Sequence, residues 1–291
     1  MNTVLQNWGL SNEIVTLIDS PSKSTWDIGG KYVLKRIVNA TEFTRSVQFT
    51  EALTAEGIPV ARYIPTNNGT FTTSDGQYSL MGKLVGGHVD FFHAPDLAFP
   101  FGQALARLHV ALARMESHIV CDNCDLEADW LNNIKPNIHG MVSDDLVTAF
   151  EMIFLAVYPR LPRQIIHRDV HCFNFLFEGD KLTGWLDFEL GHRNARVFDL
   201  AYFLAGLLVG KELASDNIAA WDSIYRMFLG GYNEVSPLAE CENVAIPVLM
   251  VAIELLFVSF WKQQENIAQC EQARVLAQWL FDRYITKSTV V

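Results

Sequence analysis

Residues 165–204 read IIHRDVHCFNFLFEGDKLTGWLDFELGHRNARVFDLAYFL. Within them His167, Asp169 and Asn174 are spaced H-x-D-x-x-x-x-N, and Asp187 follows in a DFE triplet. Two apolar runs, FNFLF and LTGWLDF, flank Glu178-Gly179-Asp180-Lys181, which reads as a hairpin turn. With Gly179 and Asp180 as a two-residue loop, Glu178 faces Lys181 and Asn174 faces Trp185. Opposed residues share a side of the hairpin, and the period of two puts Asp187 on that side as well. Asn174 and Asp187 are then diagonal neighbours, roughly 7–8 Å apart at the backbone. Two oxygen-bearing side chains at that separation suit one hard cation such as Mg²⁺. Asp169 lies in the loop entering the first strand, where it reaches a substrate hydroxyl.

Phosphoryl transfer needs this set of groups. Little covalent work falls to the protein, which holds Mg²⁺ on the phosphates and orients the attacking oxygen. An aspartate serves as base or orienter, while an amide and a second aspartate hold metal without excess charge. The motif, the hairpin and the DFE occur together and in that order.

These residues resemble the catalytic core of the aminoglycoside phosphotransferase/choline kinase superfamily, whose fold is similar to that of protein kinases. HRDVHCFN matches the H-x-D-x-H-x-x-N form of that superfamily, including its second histidine, His171. The resemblance implies that Asp169 is the catalytic aspartate, that Asn174 and Asp187 are metal ligands, and that Asp199 braces the catalytic loop. It also implies an α+β, protein-kinase-like fold of two lobes. A small β-rich, nucleotide-binding lobe would span 1–84, and a larger, mostly helical lobe, with the catalytic loop and the metal and substrate site, would span 85–291. ATP and Mg²⁺ are the expected cofactors.

Composition agrees with such a chain and limits the alternatives. Its 291 residues, half of them hydrophobic, are enough to bury a large core. The net charge of −11 argues against nucleic acid or an anionic membrane as main partner. Five scattered cysteines suggest a reducing compartment. The start, MNTVLQNWGL, lacks the basic and apolar regions of a signal peptide. The apolar run from Val244 to Phe260 is interrupted by Pro247 and Glu254, which fits a buried helix starting near Pro247 better than a membrane span. The expectation is a soluble cytoplasmic protein.

Along the chain, Trp26 to Ile28, the turn Gly29-Gly30 and the strand Tyr32 to Ile37 form a hairpin bearing Lys35. Kinases place a lysine on their third strand to contact the α- and β-phosphates. The preceding loop lacks G-x-G-x-x-G, so Ser22, Lys23 and Ser24 take the phosphate oxygens instead. Thr41 to Glu56 reads as a helix capped by Thr41 and closed by Gly57. Kinases pair the strand lysine with a glutamate on this helix; here Ser46 stands at that place and Glu42, one turn earlier, is the substitute. The next 30 residues read as a meander turned at Asn68-Gly69 and Asp75-Gly76. Its end, YSLMGKLVGG, resembles the superfamily's hinge, with Met81, Gly82 and Leu84 presenting backbone and apolar groups to adenine. The helix FGQALARLHVALARM carries His109 as a packed, structural histidine. After the DFE come only Leu190 to Phe198 before Asp199, too short for the activation segment on which protein kinases dock a polypeptide. Helices at 201–210, 216–230, 246–263 and 267–285 would line the substrate side, with Glu254 and Trp261 as candidate lining residues.

The function expected is transfer of the γ-phosphate of ATP to a hydroxyl of a small molecule, an amino acid such as homoserine, an amino alcohol or an antibiotic. The resemblance is nearest to the homoserine kinase type II-like branch. The alternatives are a protein Ser/Thr kinase and a non-catalytic nucleotide-binding regulator. The missing activation segment disfavours the first, and the intact Asp169, Asn174 and Asp187 set disfavours the second.

Overall fold

Ile28, Leu34 and Leu80 are fully buried on neighbouring strands, and with Leu5 and Trp8 they make one apolar cluster. That cluster backs a five-stranded antiparallel sheet of order β1-β2-β3-β5-β4, formed by β1 (Val15–Leu17), β2 (Thr25–Ile28), β3 (Tyr32–Arg36), β4 (Tyr63–Ile64) and β5 (Tyr78–Gly82). The structure, a computed structural model, describes residues 1–18, 24–116, 119 and 121–286. A short helix α1 (Asn2–Leu5) leads into the sheet, and α2 (Ala40–Ala55) follows β3. The cap of α2 is Asn39 rather than Thr41. Its Oδ1 accepts from the N–H groups of both Thr41 and Glu42, so the helix begins at Ala40. Between β4 and β5 the chain makes turns at Gly69 and Gly76 without further strands, so the meander is shorter than its composition suggests.

The remaining elements are α3 (Ala98–Met115), the short α4 (Leu126–Asp129) and α5 (Lys135–Ile138), α6 (Asp144–Val157), β6 (Arg163–Ile166), the hairpin β7 (Phe175–Glu178) and β8 (Lys181–Trp185), β9 (His192–Ala195), and α7 (Val197–Gly206), α8 (Ser215–Val235), α9 (Glu240–Gln263) and α10 (Ile267–Tyr284). Two compact units result: Met1–His88 with Asn174–Gly191, and Val89–Phe173 with His192–Val291. The β7–β8 hairpin thus groups with the sheet-bearing residues. β6 and β9, which flank it in sequence, pair with each other antiparallel inside the helical unit.

Two helices start earlier than their sequences suggest. α7 begins at Val197, so Asp199 lies in its first turn, where a carboxylate is favoured by the helix dipole. α9 begins at Glu240 and carries Pro247 inside it. The Glu242 carboxylate accepts from the Ala239 N–H, and this capping starts the helix well before the proline. By length and composition α9 could cross a membrane, yet 67 % of its apolar window is buried within the protein, as a core helix would be.

Backbone contact sets the crossing of α3 and α8. A Cβ on Gly102 would stand 2.0 Å from the Phe228 carbonyl oxygen, and one on Gly231 would stand 2.0 Å from that of Phe99. Phe91, Phe101, Phe203 and Phe228 fill the space beside this crossing with ring centroids 4.6–5.6 Å apart. Gly102→Ala should therefore destabilise the protein by about 2 kcal/mol, because overpacking outweighs the helix-propensity gain of about 1 kcal/mol. Urea denaturation checks this, and an unchanged midpoint would show that the helices can part without cost.

Candidate active site

Period two in β3 buries Leu34 and turns Lys35 to the other face of the sheet. There the Lys35 ammonium lies 3.1 Å from Asp187 Oδ2 and 2.7 Å from Glu189 Oε1. Burial works against its charge, but the two carboxylates outweigh burial and raise the ammonium above its ordinary value. Glu42 is not among its partners: in the described residues Lys35 pairs with Asp187 and Glu189, both from the chain after β8. Ser46, at the place of the missing helix glutamate, is buried and bonds instead to the Tyr63 hydroxyl at 3.0 Å. Burial pushes that phenol up to about 12.

Helix α2 still serves the site, through other residues. Arg45 donates to the carbonyls of Glu189 and Gly191, and a Cβ on Gly191 would stand 2.2 Å from the Phe49 ring. The turn that carries Glu189 is thereby tied to α2. The acid of the DFE triplet was the available signal for this pairing, since the helix offered none at the usual position.

The hairpin register differs by one residue from the expected one. Glu178 faces Lys181 and Phe177 faces Leu182, but Leu176 faces Gly184 and Phe175 faces Trp185. A bulge at Thr183 absorbs the extra residue, its hydroxyl donating to the carbonyls of Val85 and Leu176. Asn174, nine-tenths buried, therefore lies opposite Leu186, whose N–H donates to its carbonyl, rather than opposite Trp185. Asp187 then breaks the strand with a φ of 58°. That conformation, not strand alternation, directs its carboxylate to Lys35. The segment after β5 is stitched to the same hairpin. Gly87 and Phe177 exchange both backbone hydrogen bonds, and the Leu84 side chain fills the space where Gly184 lacks a Cβ. Met81 pairs with Val33 and Tyr63, and the Gly82 N–H donates to the Arg62 carbonyl. Ser24 continues β2, its carbonyl accepting from Arg36; Ser22 and Lys23 lie outside the described residues.

In the helical unit the chain leaves β6 as His167-Arg168-Asp169. Asp199 has no exposure to solvent. Its Oδ2 accepts from the His167 N–H at 2.9 Å and its Oδ1 from the Arg168 N–H at 2.7 Å. His109 Nε2 lies 3.0 Å from Oδ2, while its Nδ1 meets the Tyr232 hydroxyl at 2.7 Å. Arg168 is held at a φ of 70°, a conformation L-residues rarely adopt. Asp169 follows, with its Oδ1 accepting from the Tyr202 hydroxyl at 2.8 Å and its Oδ2 3.4 Å from His171 Nε2. Burial opposes ionisation of Asp169, but His171, the charge of His167 and the Tyr202 hydroxyl bring it down to about 2. Tyr202 was not singled out from sequence. Its place one turn after Asp199 on α7 is the only cue.

Asn174 and Asp187 both carry side-chain oxygens, the donor type that a hard ion takes together with phosphate oxygens and water. No cluster of three or more His, Cys, Asp or Glu able to cage an ion occurs among the described residues.

A family model described as the phosphotransferase enzyme family matches residues 15–238. The homoserine kinase of Zymomonas mobilis is 26 % identical over 239 residues, which cover 77 % of this chain and 71 % of that protein. Among solved structures, a GDP complex of aminoglycoside 2'-phosphotransferase-IIIa matches with a TM-score of 0.75 at 15 % identity, covering 97 % of both chains. A microcompartment-associated aminopropanol kinase matches with a TM-score of 0.73 at 14 % identity, covering 100 % of this chain and 98 % of its own. At those identities the solved structures speak for the fold, which is the α+β, protein-kinase-like one.

Two outcomes follow from the aspartates. Asp199→Asn replaces an acceptor of three hydrogen bonds by a group with one oxygen and an unwanted donor. It should cost about 3 kcal/mol of stability, read by urea denaturation. Asp169 has its folded pKa depressed, so its contribution to stability is complete above the ordinary carboxylate value and is lost as pH falls through about 2. A pH–rate profile should therefore show no limb from Asp169 between about pH 5 and 9.

Proposed function

Since the chain belongs to the phosphotransferase enzyme family, we propose that it is a kinase that moves the γ-phosphate of ATP to a hydroxyl of a small molecule. The observation that carries this reading is the ion pair between Lys35 and Asp187, 152 residues apart in sequence. A lysine on the central strand of a small sheet, beside a carboxylate suited to a metal, is what a bound triphosphate requires. Lys35 would contact the phosphates, and Asn174 and Asp187 would hold the ion. Held there, Mg²⁺ would offset the negative charge that develops on the phosphates. Ser24, Met81, Gly82 and Leu84 are the proposed nucleotide contacts, while Glu189 replaces Glu42 as the second partner of Lys35.

Asp169 would receive the acceptor hydroxyl. Tyr202 donates to one carboxylate oxygen, and in this reading the acceptor hydroxyl is oriented by the oxygen on the His171 side. Residues 190–198 include β9, which is committed to pairing with β6. That leaves little chain for a polypeptide-docking segment and favours a small acceptor over a protein. Homoserine leads the candidates because the homoserine kinase reported above aligns with most of the chain; amino alcohols come next. Dependence on ATP suits a cytoplasmic enzyme.

The test is phosphate transfer from MgATP to L-homoserine, amino alcohols and aminoglycosides by the purified protein. Asp169→Asn should keep nucleotide affinity and lower turnover by about 100-fold or more, as loss of a positioned proton acceptor does. Asp187→Ala should abolish the response to added Mg²⁺. Turnover of Asp169→Asn within a few-fold of the unaltered enzyme would refute the assignment. So would stoichiometric phosphorylation of casein with no small acceptor found.

A further inference from the structure

Helix α9 buries two glutamates, and the fold treats them differently. Glu242 is 2 % exposed and forms a two-pronged ion pair with Arg196 while accepting from the Ala239 N–H. Glu254 is 1 % exposed, lies between Ile253 and Leu255 in the apolar centre of the helix, and its Oε1 has no hydrogen-bond partner among the described residues. Among the described residues, the cations on the elements packed against α9 pair elsewhere: Lys135 with Glu151, Arg274 with Glu271 and Arg283 with Asp222. Lys262, on α9 itself, donates to the Asn137 carbonyl. Asp199, on α7, is bound to His109, and the Cys270 thiol of α10 donates to the Val258 carbonyl. A lone carboxyl in such a place is costly, and an apolar residue would serve the packing better. Local rules broken in this way mark functional positions.

The same helix also reaches the proposed catalytic aspartate through Phe257 and Tyr202. Phe257 stands one turn beyond Glu254 and its ring centroid is 5.9 Å from that of Tyr202, whose hydroxyl holds Asp169. Trp261 is two turns beyond, so Glu254, Phe257 and Trp261 form one stripe at i, i+3 and i+7. The two rings are half-buried. A carboxyl that shares one helix stripe with two aromatic side chains is complementary to an organic ammonium, through charge and through cation–π attraction.

We infer that Glu254 is the counter-ion for the acceptor, binding an ammonium group carried by the hydroxyl compound while Asp169 orients the hydroxyl. The inference rests on the phosphotransferase reading and names the substrate class within it, amino alcohols and amino acids with a free hydroxyl. Burial alone pushes the Glu254 carboxyl up to about 8, so it is protonated at neutral pH until a cation arrives. Docking an ammonium ionises it, and the proton leaves to solvent. Affinity for the ammonium compound then rises with pH up to about that value and levels off above it.

Calorimetry on the full chain, with Mg²⁺ and a non-hydrolysable ATP analogue, tests this. The probes are 3-amino-1-propanol, ethanolamine and L-homoserine, with 1,3-propanediol as the partner lacking nitrogen. At pH 7, titration in buffers of different ionisation enthalpy should show release of close to one proton for an ammonium probe and none for the diol. Glu254→Gln should bind that probe about 30-fold more weakly with unchanged nucleotide affinity, the scale of a lost buried charge contact. Binding by Glu254→Gln within about threefold of the unaltered protein would overturn the inference, as would the absence of binding by every ammonium probe. Should Glu254→Gln not fold, the proton release of the unaltered protein decides alone, and its absence is fatal. Failure of the phosphotransferase reading looks different: ammonium binding persists and depends on Glu254, yet no probe is phosphorylated.

Discussion

One buried carboxylate, that of Asp199, fixes the loop on which the proposed chemistry depends. Its two oxygens take the consecutive N–H groups of His167 and Arg168. Binding both amides forces the chain to turn between them, and the left-handed conformation of Arg168 is the result. A carboxylate in that position would be unaffordable without full satisfaction. His109 completes it and is itself held by Tyr232. The glycine crossing of α3 and α8 lets those two side chains meet, since Gly102 and His109 share one helix and Gly231 and Tyr232 the other. A packing feature without chemistry of its own thus reaches Asp169 through four residues.

The sheet-bearing unit solves a different problem, which is to keep a lysine charged in a half-buried place. Two carboxylates against one ammonium leave a net negative charge just after the hairpin. That excess suits a divalent ion arriving with phosphates better than a second cationic side chain would. Glu189 also frees α2 from supplying the glutamate, and the helix contributes instead by gripping the backbone of the same turn through Arg45.

The hairpin and the strand that bears Lys35 were legible in the sequence, because each is written in local spacing. What was not legible depended on tertiary contact. The bulge at Thr183 is stabilised by the Val85 carbonyl, nearly a hundred residues away, and no two-residue periodicity contains it. Asp187 could be placed near Lys35 only by its backbone conformation, which DFE does not specify. Glu42 is the nearest glutamate the helix offers in place of Ser46, whereas the partner of Lys35 comes from the turn after β8, distant only in sequence. Pro247 suggested a helix start; capping by Glu242 placed that start earlier. Tyr202 has no motif at all, and its role exists only because α7 begins at Val197 and points it at Asp169.

The low pKa of Asp169 bears on how the proposed transfer proceeds. A carboxylate near pKa 2 is a weak base toward an alcohol, many powers of ten short of deprotonating it in advance. A loose phosphoryl transition state does not need an alkoxide, because bond formation to the nucleophile is slight when the leaving bond is nearly broken. Asp169 then acts first by aligning the hydroxyl and only late as the proton's destination, when bonding to phosphorus has made the oxygen acidic. Tyr202 and His171 hold the carboxylate ionised and in one orientation, which favours alignment at the expense of basicity. Had basicity been the requirement, burial without those donors would have raised the pKa, as it does at Glu254 on the same unit.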